Sequence, residues 1–145
     1  AIYGKGEDYV KLQAVIRQYR LDNSVHIYPP TRDIVDRYLE SSVYVMSSRF
    51  EGFPMVLPEA MACGLPCVSF AAPCGPTEII SDGEDGFVTP LGNVQALADR
   101  LSLLMSDDAL RIKMGKNARQ NIMRYSKDRV MKQWIDLFGE LKKNG

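Results

Sequence analysis

The chain has 145 residues, with 18 basic and 18 acidic side chains and a net charge of zero. That length suits one domain with a real core, and the charge balance argues against an electrostatic nucleic-acid binder or a polybasic membrane patch, leaving small neutral ligands and single phosphates. No apolar run approaches the ~20 residues that span a bilayer, and Ala1-Ile2-Tyr3-Gly4 carries no basic region ahead of an apolar segment, so a cytoplasmic location is expected.

Residues 1–3 read as the tail of a strand that turns through Gly4-Lys5-Gly6 into a helix over 7–21, where Tyr9, Leu12, Val15, Ile16 and Tyr19 recur at helical spacing. Gly4-x-Gly6 is a weak match to a dinucleotide fingerprint, because the third glycine is missing. Ser24-Val25-His26-Ile27-Tyr28 predicts a short strand stopped by Pro29-Pro30, with Thr31 as the N-cap of a helix over 33–41. His26 is the only histidine and has no visible partner for base chemistry, so a structural place is expected for it. The loop from Tyr28 to Arg32 lies at the carboxyl end of a strand, where open α/β sheets bind ligands.

A strand over 43–46 then leads into Phe50-Glu51-Gly52-Phe53-Pro54-Met55-Val56-Leu57-Pro58-Glu59-Ala60, followed by a small-residue helix closed by Gly64. Gly52 and Pro54 interrupt both elements, so the backbone N–H groups from Met55 to Leu57 are expected to be the unpaired donors of a helix start, an anion site. Glu51 precedes that helix mouth and Glu59 lies inside it, so two carboxylates flank one loop and can accept paired hydroxyls of a sugar or ribose. Macrodipole preference for an early Glu explains Glu59 equally well without any ligand.

Further along, a strand over 67–71 and a loop through Cys74-Gly75 lead to a short helix opened by Pro76. Gly83 and Gly86 are expected to bracket a turn before a strand over 87–89. Gly92 or Asn93 should cap a helix with Val94, Leu97, Leu101, Leu104 and Met105 inward, and a second begins near Ser106-Asp107-Asp108 with Ile112, Met114 and Ile122 inward. The segment 126–142 places Val130, Trp134, Leu137, Phe138 and Leu141 on one helical face, read as packing. Alternation of strand and helix predicts an α/β fold with a doubly wound, Rossmann-like parallel sheet covered on both faces. Cys63, Cys67 and Cys74 lack the paired spacing of a zinc knuckle, so reduced thiols are expected, with Cys63 and Cys67 buried and no metal bound.

The run from Ser48 to Val68, with Glu51 and Glu59 as its Glu-x7-Glu signature, resembles the group 1 (family 4) retaining glycosyltransferases, as do Gly4-x-Gly6-Glu7, Gly75-Pro76-x-Glu78-Ile79-Ile80 and Asp82-Gly83-x-x-Gly86. The resemblance covers about residues 1 to 130. It implies the C-terminal, donor-binding half of a GT-B architecture, with residues 1–125 as the nucleotide-sugar domain and 126–145 as a helix that packs between domains. Carried over by residue, Glu51 is the catalytic-site carboxylate on the transferred sugar, Gly52 and Phe53 approach that sugar through their N–H groups, Val56 and Leu57 the diphosphate, and Glu59 the ribose. Tyr28 to Thr31 would border the base. The family's Arg and Lys, which neutralise the diphosphate, precede the position of Ala1, and an N-terminal acceptor-binding domain is missing. The resemblance therefore implies a fragment of a larger enzyme, without metal or other cofactor, using a UDP-, GDP- or similar sugar on a polysaccharide, lipid or other acceptor. Any membrane contact, at the cytoplasmic face, would pass through the missing domain. A nucleotide-sugar epimerase of the same architecture and a non-catalytic α/β binding module are the alternatives.

Overall fold

Thirteen elements follow one another in the computed structural model, which describes residues 1–144, and every strand pairing is parallel. The chain divides into two compact units, residues 1–34 and 35–145. Gly145, the last residue of the predicted C-terminal segment, lies outside the described residues.

In the first unit, β1 (Ile2–Tyr3) pairs with β2 (Ile27–Tyr28), and α1 (Tyr9–Gln18) links them. The strand expected over 24–28 is limited to its last two residues, because Ser24 and Val25 donate backwards to the Leu21 carbonyl in a turn. The helical stripe is present but buries nothing: Leu12 is 41% and Val15 46% exposed. His26 is exposed, in the tilted aromatic neighbourhood of Tyr28. A cleft of about 490 Å³ lies between the Gly4–Gly6 turn and Pro29-Pro30. Thr31 acts near its predicted place, its Oγ1 accepting from the Asp33 N–H at 3.1 Å.

The second unit begins within α2 (Ile34–Leu39) and is built on the sheet β3 (Tyr44–Met46), β4 (Cys67–Phe70), β5 (Gly86–Thr89), in that order. All four residues of β4 are buried, as a parallel central strand covered on both faces requires. Around it lie α3 (Val56–Ala62), the single turn α4 (Pro76–Ile79), α5 (Val94–Ser106), α6 (Asp108–Asn121), a 3-10 turn (Ile122–Tyr125) and α7 (Lys127–Asn144). Val68, Phe87, Leu104 and Met114 form the centre of the core. Burying one such side chain contributes roughly 1.5–3 kcal/mol.

Local chemistry explains the helix ends. Asn93, not Gly92, caps α5, its side chain accepting from the Ala96 N–H at 3.0 Å, and Asp107 caps α6 through the Leu110 N–H at 2.8 Å. The end of α3 is a Schellman motif: Gly64 at φ +83° lets the Leu65 N–H reach the Ala60 carbonyl and the Gly64 N–H reach that of Met61. A Cβ on Gly115 of α6 would stand 2.2 Å from the Gly64 carbonyl oxygen, so the two glycines allow helix and turn to meet backbone to backbone.

Several expected inward positions are not inward. Val94 and Met105 are 69% and 68% exposed and Ile112 is 56% exposed, because α5 and α6 bury narrow stripes around Leu104 and Met114 rather than wide faces. Cys67 is fully buried, Cys63 only half-buried and Cys74 exposed. Gly83 and Gly86 bracket a turn, the Gly83 N–H donating to the Gly86 carbonyl at 2.9 Å, and Gly86 is also the first residue of β5. The apolar face of α7 is open, with Trp134 50% exposed and stacked on Phe138 at 5.6 Å. Among the described residues no helix is long and apolar enough to cross a membrane.

Candidate active site

The predicted strand, loop and helix are present in the second unit. β3 delivers the chain to Glu51, which is half-buried, and α3 carries Glu59 near its first turn with its side chain exposed. Two phenols feel these carboxylates, Tyr44 both of them and Tyr38 Glu59 alone. Tyr44, at the start of β3, has its pKa pushed up to about 12, first by burial, then by the Cys67 thiol and the Glu51 and Glu59 carboxylates. Tyr38, on α2, is raised further, by burial foremost and then by Tyr44 and Glu59. Both stay protonated near neutral pH, so Tyr38 is a donor, and its hydroxyl donates a long bond to Glu59 Oε2 at 3.4 Å. The two rings meet edge to face at 5.7 Å.

The loop itself is held from below. Pro54 is buried against Gly75, whose φ of +131° and lack of a side chain are both needed: a Cβ there would stand 2.4 Å from Pro54 Cδ. Phe53, 45% exposed, sets its ring edge to face with Tyr125 at 5.5 Å. Gly52 and Met55 are exposed, and Val56 is half-buried. Leu57 departs from its expected role, since its side chain is fully buried in the core and its N–H donates to the Pro54 carbonyl at 3.0 Å. The N–H groups of Met55 and Val56 have no backbone partner among the described residues. Tyr28, 42% exposed, and half-buried Thr31 belong to the first unit.

Sequence reasoning missed Tyr38, Tyr44, Gly75 and Tyr125. Gly75 carried a signal, a glycine directly before a helix-opening proline. The tyrosines carried none, because 21 residues separate Tyr38 from Glu59 and only the fold joins them. No three His, Cys, Asp or Glu side chains gather as a cation site among the described residues.

The family model of the glycosyl transferases group 1 matches residues 1–121. The chain belongs to this family. The group 1 chain is 37% identical, over 97% of its length, to 15% of an exopolysaccharide phosphotransferase of Streptomyces coelicolor. It is 36% identical, over 94% of its length, to 38% of the amylovoran biosynthesis glycosyltransferase AmsD of Erwinia amylovora. Among solved structures, a TarM variant of Staphylococcus aureus in complex with fondaparinux, alpha-GlcNAc-glycerol and UDP superposes with a TM-score of 0.88 at 29% identity, over 94% of this chain and 28% of that one. The fold is thus the mixed α/β arrangement of parallel sheets and helices of GT-B glycosyltransferases. The group 1 chain spans only 15% and 38% of those two curated relatives.

Proposed function

We propose that this group 1 chain binds the nucleoside-diphosphate sugar of a retaining glycosyltransferase that builds a cell-surface polysaccharide or a related glycan. The observation that carries this reading is the placement of Glu51 ahead of α3 and Glu59 within it, on either side of one loop. UDP in the TarM structure and the amylovoran assignment of AmsD support the ligand and pathway class. Glu59, oriented by the Tyr38 hydroxyl, accepts the ribose hydroxyls, and Glu51 accepts those of the sugar. Gly52 and Phe53 offer N–H groups toward the sugar, and Met55 and Val56 offer theirs toward the diphosphate.

In the reaction the bond from the anomeric carbon to the diphosphate oxygen breaks and one to the acceptor oxygen forms on the same face, the acceptor proton passing to the departing diphosphate. The chain contributes positioning and stabilisation of charge, with no metal. The acceptor is held by a further domain, and the protein works in the cytoplasm, meeting a membrane face only through that domain.

Titrating the intact protein with UDP and GDP, and with their sugars, tests the reading. Glu59→Ala should weaken the free nucleotide about ten- to a hundredfold, the scale of lost charge-assisted hydrogen bonds. Glu51→Ala should spare the nucleotide and weaken the nucleotide sugar. Absence of nucleotide binding, or equal losses for both ligands in both variants, would overturn it. Transfer activity should survive a chelator; loss restored by a divalent ion would refute metal independence.

A further inference from the structure

The loop that carries Glu51 has little of its own to hold it, with Phe50 77% exposed and Phe53 45% exposed. Its two anchors both lead to α4. Pro54 packs on Gly75, the residue that opens α4, and Phe53 packs on Tyr125, whose hydroxyl donates to the Glu78 carbonyl in α4 at 3.4 Å. A single turn of four residues is too short to hold its own position. Arg124 supplies the restraint: one guanidinium nitrogen donates to the carbonyls of Glu78 at 2.5 Å and Ile79 at 2.9 Å, capping the turn, while the guanidinium lies 4.9 Å over the Tyr125 ring. Arg124 is itself fixed, donating to Asn121 Oδ1, while Asn121 Nδ2 donates to Asp85, a carboxylate only 1% exposed that also accepts from the Ser81 N–H at 2.9 Å. A chain of polar contacts thus runs from a buried acid to α4 and the Arg124–Tyr125 pair, on which Pro54 and Phe53 of the loop pack.

We propose that Arg124 and Tyr125 are positioning residues for the Glu51–Pro54 loop, Arg124 by pinning α4 and Tyr125 by holding the Phe53 ring, so that the sugar-facing carboxylate is preset before ligand arrives. This rests on the donor-binding reading for its purpose, but its geometry does not depend on any ligand. The Leu57 and Glu59 amides report the loop directly, because their acceptors are the Pro54 and Met55 carbonyls.

Amide hydrogen exchange on the intact, ligand-free protein tests it. Tyr125→Ala should accelerate exchange at Leu57 and Glu59 about three- to tenfold, the scale of one aromatic pair, and leave the ladder amides of β4 within about twofold. Tyr125→Phe, which keeps the ring edge and loses only the long 3.4 Å bond to the Glu78 carbonyl, should bring loop exchange back to within about twofold of wild type. Phe53→Ala, on the exposed side of the pair, should reproduce the loop effect, and the double variant should add little to either single one. Arg124→Lys, which cannot hold Asn121 Oδ1 with one nitrogen and the two α4 carbonyls with another, should accelerate Ile80, whose amide donates to the Pro76 carbonyl, together with Leu57. Equal acceleration in β4 would reduce Tyr125 to a general packing residue and overturn the proposal, as would unchanged loop exchange in Tyr125→Ala and Phe53→Ala. UDP titration of the same variants separates the two readings: a shifted loop without nucleotide binding in the unsubstituted protein defeats the proposed function and leaves the positioning role standing.

Discussion

The two compact units obey the same sequence rules and reach different outcomes. In residues 1–34, α1 has an apolar stripe and the strands pair in parallel, yet no residue there is buried. In the second unit, short elements such as the three-residue β3 and the four-residue α4 stand on a closed core whose Leu57, Met61, Ile79, Leu104 and Met114 are almost wholly removed from water. Periodicity therefore specifies which face of an element is apolar, while burial depends on how much neighbouring surface is available to cover it.

The sharpest way to break this comparison is a pair of substitutions in the second unit, one that empties the core and one that overfills it. Met114→Ala removes a side chain that is 1% exposed and should lower stability by about 2–5 kcal/mol in urea unfolding. A loss below about 1 kcal/mol would show that the second unit's core is less closed than its exposures indicate. Gly115→Ala tests the backbone contact beside it, since the added Cβ would meet the Gly64 carbonyl oxygen at 2.2 Å; a loss of roughly 1–3 kcal/mol is expected, and a neutral result would mean that α6 can slide away from the α3 turn.

Asp85 sharpens the comparison through pH. Burial, the largest influence, holds its carboxyl above the usual range despite bonds from Asn121 and the Ser81 N–H and the nearby Arg124 charge that pull it down. The folded state then binds a proton more readily than the unfolded one, so this group's contribution to stability is greatest below the unfolded value and falls as pH rises through the folded value. Relative to Asp85→Asn, the wild type should lose stability between about pH 4, the ordinary Asp value, and the raised one. Denaturant midpoints for both proteins across that window check it, and a difference that grows with pH in favour of the wild type would reverse the sign. The smallest effect belongs to the first unit: Leu12→Ala, at a side chain 41% exposed, should change stability by about 0.5 kcal/mol or less, and a loss on the scale of Met114→Ala would place Leu12 in a core.

Much of the fold was legible because its signals are local. Asn93 and Asp107 cap helices through their own side chains, Pro76 opens α4, and Gly64 closes α3, all within five residues of the groups they satisfy. The strand expected over 24–28 shrank because a turn claimed its first amides, a competition that alternation of side chains does not reveal. Val94, Met105 and Ile112 were misread because a helix can carry more apolar residues than its neighbours can cover. Of the candidate site, Glu51 and Glu59 were legible from spacing along one loop, but the Leu57 N–H was not, since its acceptor, Pro54, depends on how tightly the loop turns.

By itself, then, the sequence determined the order and type of the elements and the family, and it set Glu51 and Glu59 on either side of one loop, because capping, turn chemistry and motif spacing act over a few residues. Tertiary structure alone decided that the Tyr38 hydroxyl reaches Glu59, that Gly75 receives Pro54, and that Arg124 and Tyr125 hold α4 from 45 or more positions away in the chain. Such contacts are set by which buried surfaces close against one another, and no local preference encodes that choice.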